Sequence, residues 1–233
     1  MATFRDYMSA FLYVLFPYNC LACGGVIEQG EETICSICRI NFPRTNFHLD
    51  KENVLAQKFW GRTKIDYAIS YVFFKKQNNV QSMLHYLKYK DAPEVGKLIG
   101  NWYGQELLEN DFYKNFDIII PVPLHPKKLR KRGYNQSACF GKGLAEVWEI
   151  PHLEHGLKKI TNTKSQTKKS REERFNNMKK GFTVSNPEEI RGKSILLVDD
   201  VITTGATLEA CANLLLESDA KTVSIATIAA TQH

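Results

Sequence analysis

Two hydrophobic rhythms alternate along this chain. Short continuous apolar runs fall at Tyr67–Phe74, at Ile118-Ile119-Ile120 within Asp117–Pro121, at Ile195–Val198 and at Thr222–Ala229, where Val223, Ile225 and Ile228 carry the pattern. Each is short and rich in β-branched residues, as expected of strands buried on both faces of a parallel sheet. Between them, apolar residues recur every three or four positions. Val80, Met83, Leu84 and Leu87 form one stripe, and Lys88-Tyr89-Lys90 follows it. A second helix starts at Pro93 with Val95, Leu98, Ile99, Trp102 and Leu107 on one face. A third runs from Gly133 to about Glu149, and a fourth carries Leu208, Cys211 and Leu215. Strands alternating with helices predict an α/β fold around a mainly parallel sheet.

The pattern fails in three places. Ser9–Phe16 is apolar and aromatic but too short to span a bilayer, and it lacks a cleavage site; it reads as a helix packed on the body, with a peripheral anchor as the weaker alternative. Pro43–Asn53 reads as an exposed linker. Leu157–Phe182 is polar, basic and poor in core residues. A long polar stretch inside a compact domain is usually functional or disordered. The expected division is 1–60, an N-terminal helix and cysteine module, and 61–233, the α/β domain.

Composition adds little to this. With 233 residues, 43% hydrophobic and 24% charged, the chain fits a soluble globular protein with one ample core. A net charge of +6 permits an anionic partner without demanding one. The absence of an integral membrane segment points to a cytoplasmic protein with reduced cysteines.

Four of the cysteines are paired by spacing. Cys20-Leu21-Ala22-Cys23 and Cys35-Ser36-Ile37-Cys38 are two Cys-x-x-Cys knuckles eleven residues apart. Each can present two thiolates to one tetrahedral ion, and Gly24 and Gly25 let the chain turn tightly. Four thiolates with no further ligand make a closed site, hence structural Zn²⁺; an iron–sulfur cluster is the remaining competitor. Cys139 and Cys211 sit in helical patterns and read as small apolar core residues.

The strand Ile195–Val198 leads into Asp199-Asp200-Val201-Ile202-Thr203-Thr204-Gly205-Ala206-Thr207. The two acids fall at the carboxyl end of a strand, where open α/β sheets bind ligands. The Thr/Gly turn then opens a helix whose N-terminal end favours an anion. Acids beside a phosphate cradle suit a sugar phosphate: they accept hydrogen bonds from vicinal hydroxyls or hold Mg²⁺ through water. The strand at Asp117–Pro121 is followed by a proline-stiffened loop and five cations in six residues: Lys127, Lys128, Arg130, Lys131 and Arg132. Alone these would read as a solvated face. Beside the same sheet edge they form a polyanion site, with Arg130 and Arg132 able to grip pyrophosphate oxygens.

The ordered string from Ile195 to Thr207 closely resembles the loop of type I phosphoribosyltransferases that binds 5-phosphoribosyl-1-pyrophosphate (PRPP). The blocks together resemble the ComF family, which includes ComFC and GntX. They are the finger at Cys20–Cys38, Leu87-Lys88-Tyr89, Pro121–Gln136 ending in Arg132-Gly133-Tyr134-Asn135-Gln136, Thr163–Gln166 with Arg171–Asn177, and Asp199–Thr207. The resemblance implies a type I phosphoribosyltransferase fold with a small N-terminal four-cysteine zinc finger. It implies PRPP binding with Mg²⁺ by Asp199, Asp200, Val201, Thr203, Thr204, Gly205, Ala206 and Thr207, with Asp199 and Asp200 as the catalytic candidates. Lys159 joins Arg130 and Arg132 as an anion ligand; it stands where the family commonly has Arg, which keeps the charge but loses the fork. The polar stretch becomes a hood over the reactive centre. Thr203 replaces the acid of hypoxanthine-guanine enzymes, which disfavours that purine chemistry.

The family role is DNA uptake in natural transformation, beside a ComFA-like helicase and single-stranded DNA. The activity stays open between a phosphoribosyltransferase of nucleobase or nucleotide metabolism, a PRPP sensor without turnover, and a non-catalytic accessory protein. In the last, Lys127, Lys128, Arg130, Lys131 and Arg132 would contact single-stranded DNA.

Overall fold

The computed structural model describes residues 8, 18–28, 31, 33–109, 111–160 and 181–231. The helix expected at Ser9–Phe16 and the blocks Thr163–Gln166 and Arg171–Asn177 lie outside the described residues.

The cysteine module ends in a short helix, α1 (Ser36–Asn41), and a one-turn helix, α2 (Val54–Gln57), precedes the first strand, β1 (Ala68–Phe74). Two helices follow, α3 (Asn79–Tyr89) and α4 (Pro93–Leu108), then β2 (Ile118–Pro121), α5 (Pro126–Arg132) and α6 (Gln136–Trp148). A small antiparallel pair, β3 (Leu157–Lys159) and β4 (Phe182–Val184), flanks the polar stretch. The chain returns through β5 (Ser194–Ile202), α7 (Ala206–Glu217) and β6 (Thr222–Thr231).

The main sheet has the order β1-β6-β5-β2, all parallel. Its two inner strands are the most apolar. Ile195–Val198 of β5 and Val223, Ile225, Ala226, Ile228 and Ala229 of β6 are fully buried, as sheets covered on both faces require. The registers differ in length. β2 stops pairing with β5 at Pro121 opposite Val198, whereas β6 accompanies β5 as far as Ile202. Asp199 and Asp200 therefore stand beside an open crevice where β2 has already left the sheet.

Helices α4 and α6 pack closely because both are small at the crossing. A methyl on Gly100 would strike the Phe140 carbonyl, and one on Gly143 the Lys97 carbonyl. This lets α6 lie low over the sheet and deliver its N-terminus to the crevice.

Two expectations change. The stretch Pro43–Asn53 is docked on the edge of the sheet: Thr45 N donates to Tyr71 O at 3.2 Å and Phe73 N to Pro43 O at 2.8 Å. Phe47 and Asn53 are buried, and Asn53 donates to the carbonyls of Phe47, Asp50 and Ala68. One aromatic and one amide do what no hydrophobic period announced. The basic run is also no loop. Pro126 sits in the first turn of α5, the His125 ring accepts from Lys127 N at 3.1 Å, and Gly133 at φ 81° closes the end. Among the described residues no helix is long and apolar enough to cross a membrane.

Candidate functional site

The cradle forms where β5 gives way to α7. Gly205, at φ 78°, caps the helix in a conformation that suits glycine, and Ala206 N donates to Thr204 Oγ1 at 3.5 Å. The loop encloses about 50 Å³, lined by Asp199 and by every residue from Val201 to Leu208. The space suits one phosphate group, and Ala206, Thr207 and Leu208 in the first turn of the twelve-residue α7 line it at the helix's positive end. All the expected loop residues meet here except Asp200, which turns the other way.

The two acids are held by different elements. Ser137, at the start of α6, donates its hydroxyl to Asp199 Oδ1 at 2.8 Å, and the Asp200 N–H donates to the same oxygen at 2.8 Å. Lys88, near the end of α3, pairs with Asp200 Oδ1 at 3.0 Å. Asp199 keeps an edge in the crevice but is otherwise enclosed by protein. Burial pushes its carboxyl up to about 7, and the charge of Asp200 adds to the rise; the Ser137 hydroxyl, the Asp200 N–H and Lys88 pull the other way.

A larger cleft of about 640 Å³ adjoins the acids. It is lined by Lys88 and Tyr89 at the end of α3, by Asp91 after it, by Lys128, Arg130, Lys131 and Arg132 on α5, and by Gly133 and Tyr134. Lys127 is not part of its wall. Arg132 lies 5.2 Å over the Tyr89 ring and donates to Gln136 Oε1 at 2.7 Å. Tyr134 is engaged elsewhere: its hydroxyl donates to Leu87 O at 2.7 Å and accepts from Ala92 N at 3.1 Å, clasping α3 to α4. Asn135 caps α6 through Ser137 N and donates to Val122 O at 2.9 Å. Lys159 is set apart from Arg130 and Arg132. It lies over Phe182 and lines a separate cavity of about 280 Å³ on the Leu129 side of α5, with Glu154 and His155.

The sequence reading missed the partners of the acids. Lys88 was visible only as part of a motif without a role, and Ser137 only as the residue after Asn135-Gln136. Each is more than sixty positions from its partner.

The four expected cysteines do meet. The Sγ atoms of Cys20, Cys23, Cys35 and Cys38 all lie within 4.8 Å of one another, and Cys23 and Cys35 are 3.9 Å apart. A tetrahedral ion with bonds near 2.3 Å sets its sulfurs about 3.8 Å apart, so the cluster fits a structural metal site. Backbone N–H groups of Ala22 and Cys35 point at Cys20 Sγ, that of Gly25 at Cys23 Sγ, and Asn79 Nδ2 of α3 at Cys38 Sγ at 3.4 Å. Of the remaining two, Cys211 is buried in the core as expected, while Cys139 is only half-buried.

The raised Asp199 ionisation has a testable sign. The folded protein binds this proton more tightly than the unfolded chain, so ionising it costs stability. The melting temperature should fall as pH rises from about 4 to about 7 and level off above. Asp199→Asn should flatten that slope; thermal melts of both proteins across the range decide it, and an unchanged slope would mean that Asp199 ionises normally.

Residues 141–233 match the family model for the phosphoribosyl transferase domain. Competence protein F of Haemophilus influenzae is 29% identical over 225 residues, covering 86% of this chain and 91% of its own. DNA utilization protein YhgH of Escherichia coli O157:H7 is 28% identical over 227 residues, covering 90% and 95%. Competence protein ComFC of Bacillus subtilis is 38% identical over 100 residues, covering 43% and 38%. The chain is thus similar along most of its length to competence protein F and to YhgH, and its parallel sheet and matched domain give it the type I phosphoribosyltransferase fold.

Proposed function

We propose that this protein acts in DNA uptake, and that it does so through a pocket for PRPP or a related ribose phosphate with Mg²⁺. The observation that carries the reading is the meeting of three features at one sheet edge: the 50 Å³ anion cradle, the acid pair and the basic cleft. A 5-phosphate in the Val201–Thr207 cradle puts ribose hydroxyls at Asp199 and Asp200. A pyrophosphate then extends toward Lys88, Arg130 and Arg132, whose charges suit its oxygens. Mg²⁺ would be held through water by Asp199 and Asp200 and would neutralise pyrophosphate charge. The pocket positions a ribose and receives a leaving group without needing a covalent nucleophile. Lys159, across α5, would reach the ligand only from the side opposite Arg130. The residues of 1–60 are read as the accessory module and 61–233 as the domain that carries the pocket. The metal in the cysteine cluster is read as zinc, the setting as the cytoplasm and the partner as a ComFA-like helicase.

A specific observation favours a second reading, single-stranded DNA on the basic cleft. Tyr89 is 62% exposed beside Lys128, Arg130 and Lys131, with Arg132 over its ring and His85 against it, so an aromatic ring stands among phosphate-binding charges. The cleft then serves a strand while the cradle serves a small ligand.

Three experiments test these readings. Mg²⁺-PRPP at a hundredfold excess over its dissociation constant should stabilise the fold by about 2.7 kcal/mol, and Asp199→Asn with Asp200→Asn should abolish that shift. No thermal shift with the wild type would defeat the ribose-phosphate pocket. Retention of single-stranded DNA should weaken steeply with salt, and reversing Lys128, Arg130, Lys131 and Arg132 to Glu should remove it; an unchanged affinity would exclude the cleft. Metal analysis should find about one zinc per chain, lost in Cys38→Ser. Finding iron with a visible absorption band instead would overturn the zinc assignment.

A further inference from the structure

The outer face of α3 joins two clefts. At its start lies a polar cleft of about 610 Å³, between residues 20–24 of the first cysteine knuckle and Gln81, Ser82, His85 and Tyr86 of the helix. At its end lies the basic cleft, with Lys88 and Tyr89 in its wall. Val80, Met83, Leu84 and Leu87 pack on the core, which leaves Gln81, His85 and Tyr89, at every fourth position, exposed on the opposite face. A row of planar groups bridges the clefts. Arg132 lies 5.2 Å over the Tyr89 ring, the His85 ring is 5.2 Å from Tyr89, and Tyr86 meets His85 edge-on at 6.3 Å.

The charges on this face have one sign. Residues 74–90 include Lys75, Lys76, Lys88 and Lys90 and no aspartate or glutamate. No acid lines the polar cleft, and Asp91 is the single acid in the wall of the basic cleft, against five cations. A merely solvated helix face gains from charges of both signs three or four residues apart. This one carries amides, a hydroxyl and rings, with lysines at its ends. The groove is also held in shape. Gln81 Oε1 accepts from Gln77 N at 2.6 Å, Asn78 caps the helix through Gln81 N, and Asn79 donates to Cys38 Sγ, which sets the cysteine cluster against the helix start. Cations suit phosphates, planar groups suit base faces, and amides both donate to and accept from base edges. A duplex keeps its base faces stacked inside, so such a groove selects an unpaired strand.

Resting on the single-stranded DNA reading above, we infer that the strand continues beyond the basic cleft, along α3 over the His85 and Tyr86 rings and into the polar cleft beside the cysteine knuckle. The cysteine module is thereby one wall of a nucleic-acid groove. The eleven residues of α3 rise about 16 Å, room for roughly five nucleotides stacked about 3.4 Å apart. Helix and knuckle both precede residues 141–233, so the match to the phosphoribosyl transferase domain does not account for this face.

The test uses the full chain with oligo-dT probes of about five and about fifteen nucleotides, the shorter able to fill one cleft only. Gln81→Glu with His85→Ala puts a negative charge in the groove and removes a ring, at two exposed helix positions. This double variant should weaken the longer probe about 10-fold, the worth of one lost base–ring contact, and leave the shorter probe's affinity and the melting temperature unchanged. Photo-cross-linking of an iodouracil-substituted longer probe should mark His85 or Tyr86 in the wild type. Unchanged binding of the longer probe by the double variant would overturn the inference, as would cross-links confined to α5; the strand would then end in the basic cleft and leave this face to a protein partner. An equal loss for both probes would overturn it too, since that is a general disturbance and not a lost extension. If the wild type binds neither probe, the single-stranded DNA reading itself fails, which the wild-type titration tells apart from a failure of the groove alone.

Discussion

Placing two carboxylates side by side at the end of an inner strand is the demand from which the surroundings follow. Asp199 and Asp200 lie on β5 beyond the point where β2 has ended, so only β6 flanks them. Successive residues of a strand point to opposite faces, and the pair solves its repulsion accordingly. Asp199 turns to the cradle and is met by a hydroxyl from α6; Asp200 turns away from it and is met by Lys88 of α3, which lines the basic cleft. Only the second partner carries charge. Asp199 is thereby left as the reluctant acid, while Asp200 is the one with a cation beside it. One strand end thus presents two chemically different carboxylates, with the cradle on one side and the cleft on the other.

The helices around the crevice read as devices for delivering those partners. Gly100 and Gly143 let α6 approach α4 closely, which sets the height at which Ser137 meets Asp199. The Tyr134 hydroxyl ties the end of α3 to the start of α4, and Lys88 and Tyr89 stand on that tied end. The Gln136 amide steadies Arg132 over Tyr89. Within the Arg132–Gln136 block, Tyr134, Asn135 and Gln136 are engaged with α3, the loop after β2 and Arg132.

The legible parts of the fold were those with a period. β5 and β6 are buried on both faces and so read as unbroken apolar runs, and α7 kept Leu208, Cys211 and Leu215 on its core face. The cysteine cluster was legible because its spacing is its chemistry. What stayed hidden had no period to reveal it. α5 has no fully buried residue, so its helix shows only in the proline and glycine at its ends. The docked stretch Pro43–Asn53 depends on Phe47 and Asn53, two residues in an otherwise polar sequence. The pairings of Lys88 with Asp200 and Lys58 with Thr203 join segments over a hundred residues apart, and no local pattern encodes them.

Helix α3 links the cysteine cluster to the acid pair. Its first residue, Asn79, donates to Cys38 Sγ, and its penultimate residue, Lys88, meets Asp200. At 1.5 Å per residue these points are about 14 Å apart along one helix. A helix that short is marginal by itself and takes its position from what it packs on. The apolar stripe Val80, Met83, Leu84 and Leu87 seats α3 on the core. That stripe fixes the face it presents, but slippage along its axis is opposed chiefly at the ends. The Asn79–Cys38 contact acts at one end and the Tyr134 clasp at the other. Both set the axial position of Lys88. The cysteine cluster therefore has a structural reason to be joined to this sheet: it holds one end of the element that carries the cation facing Asp200.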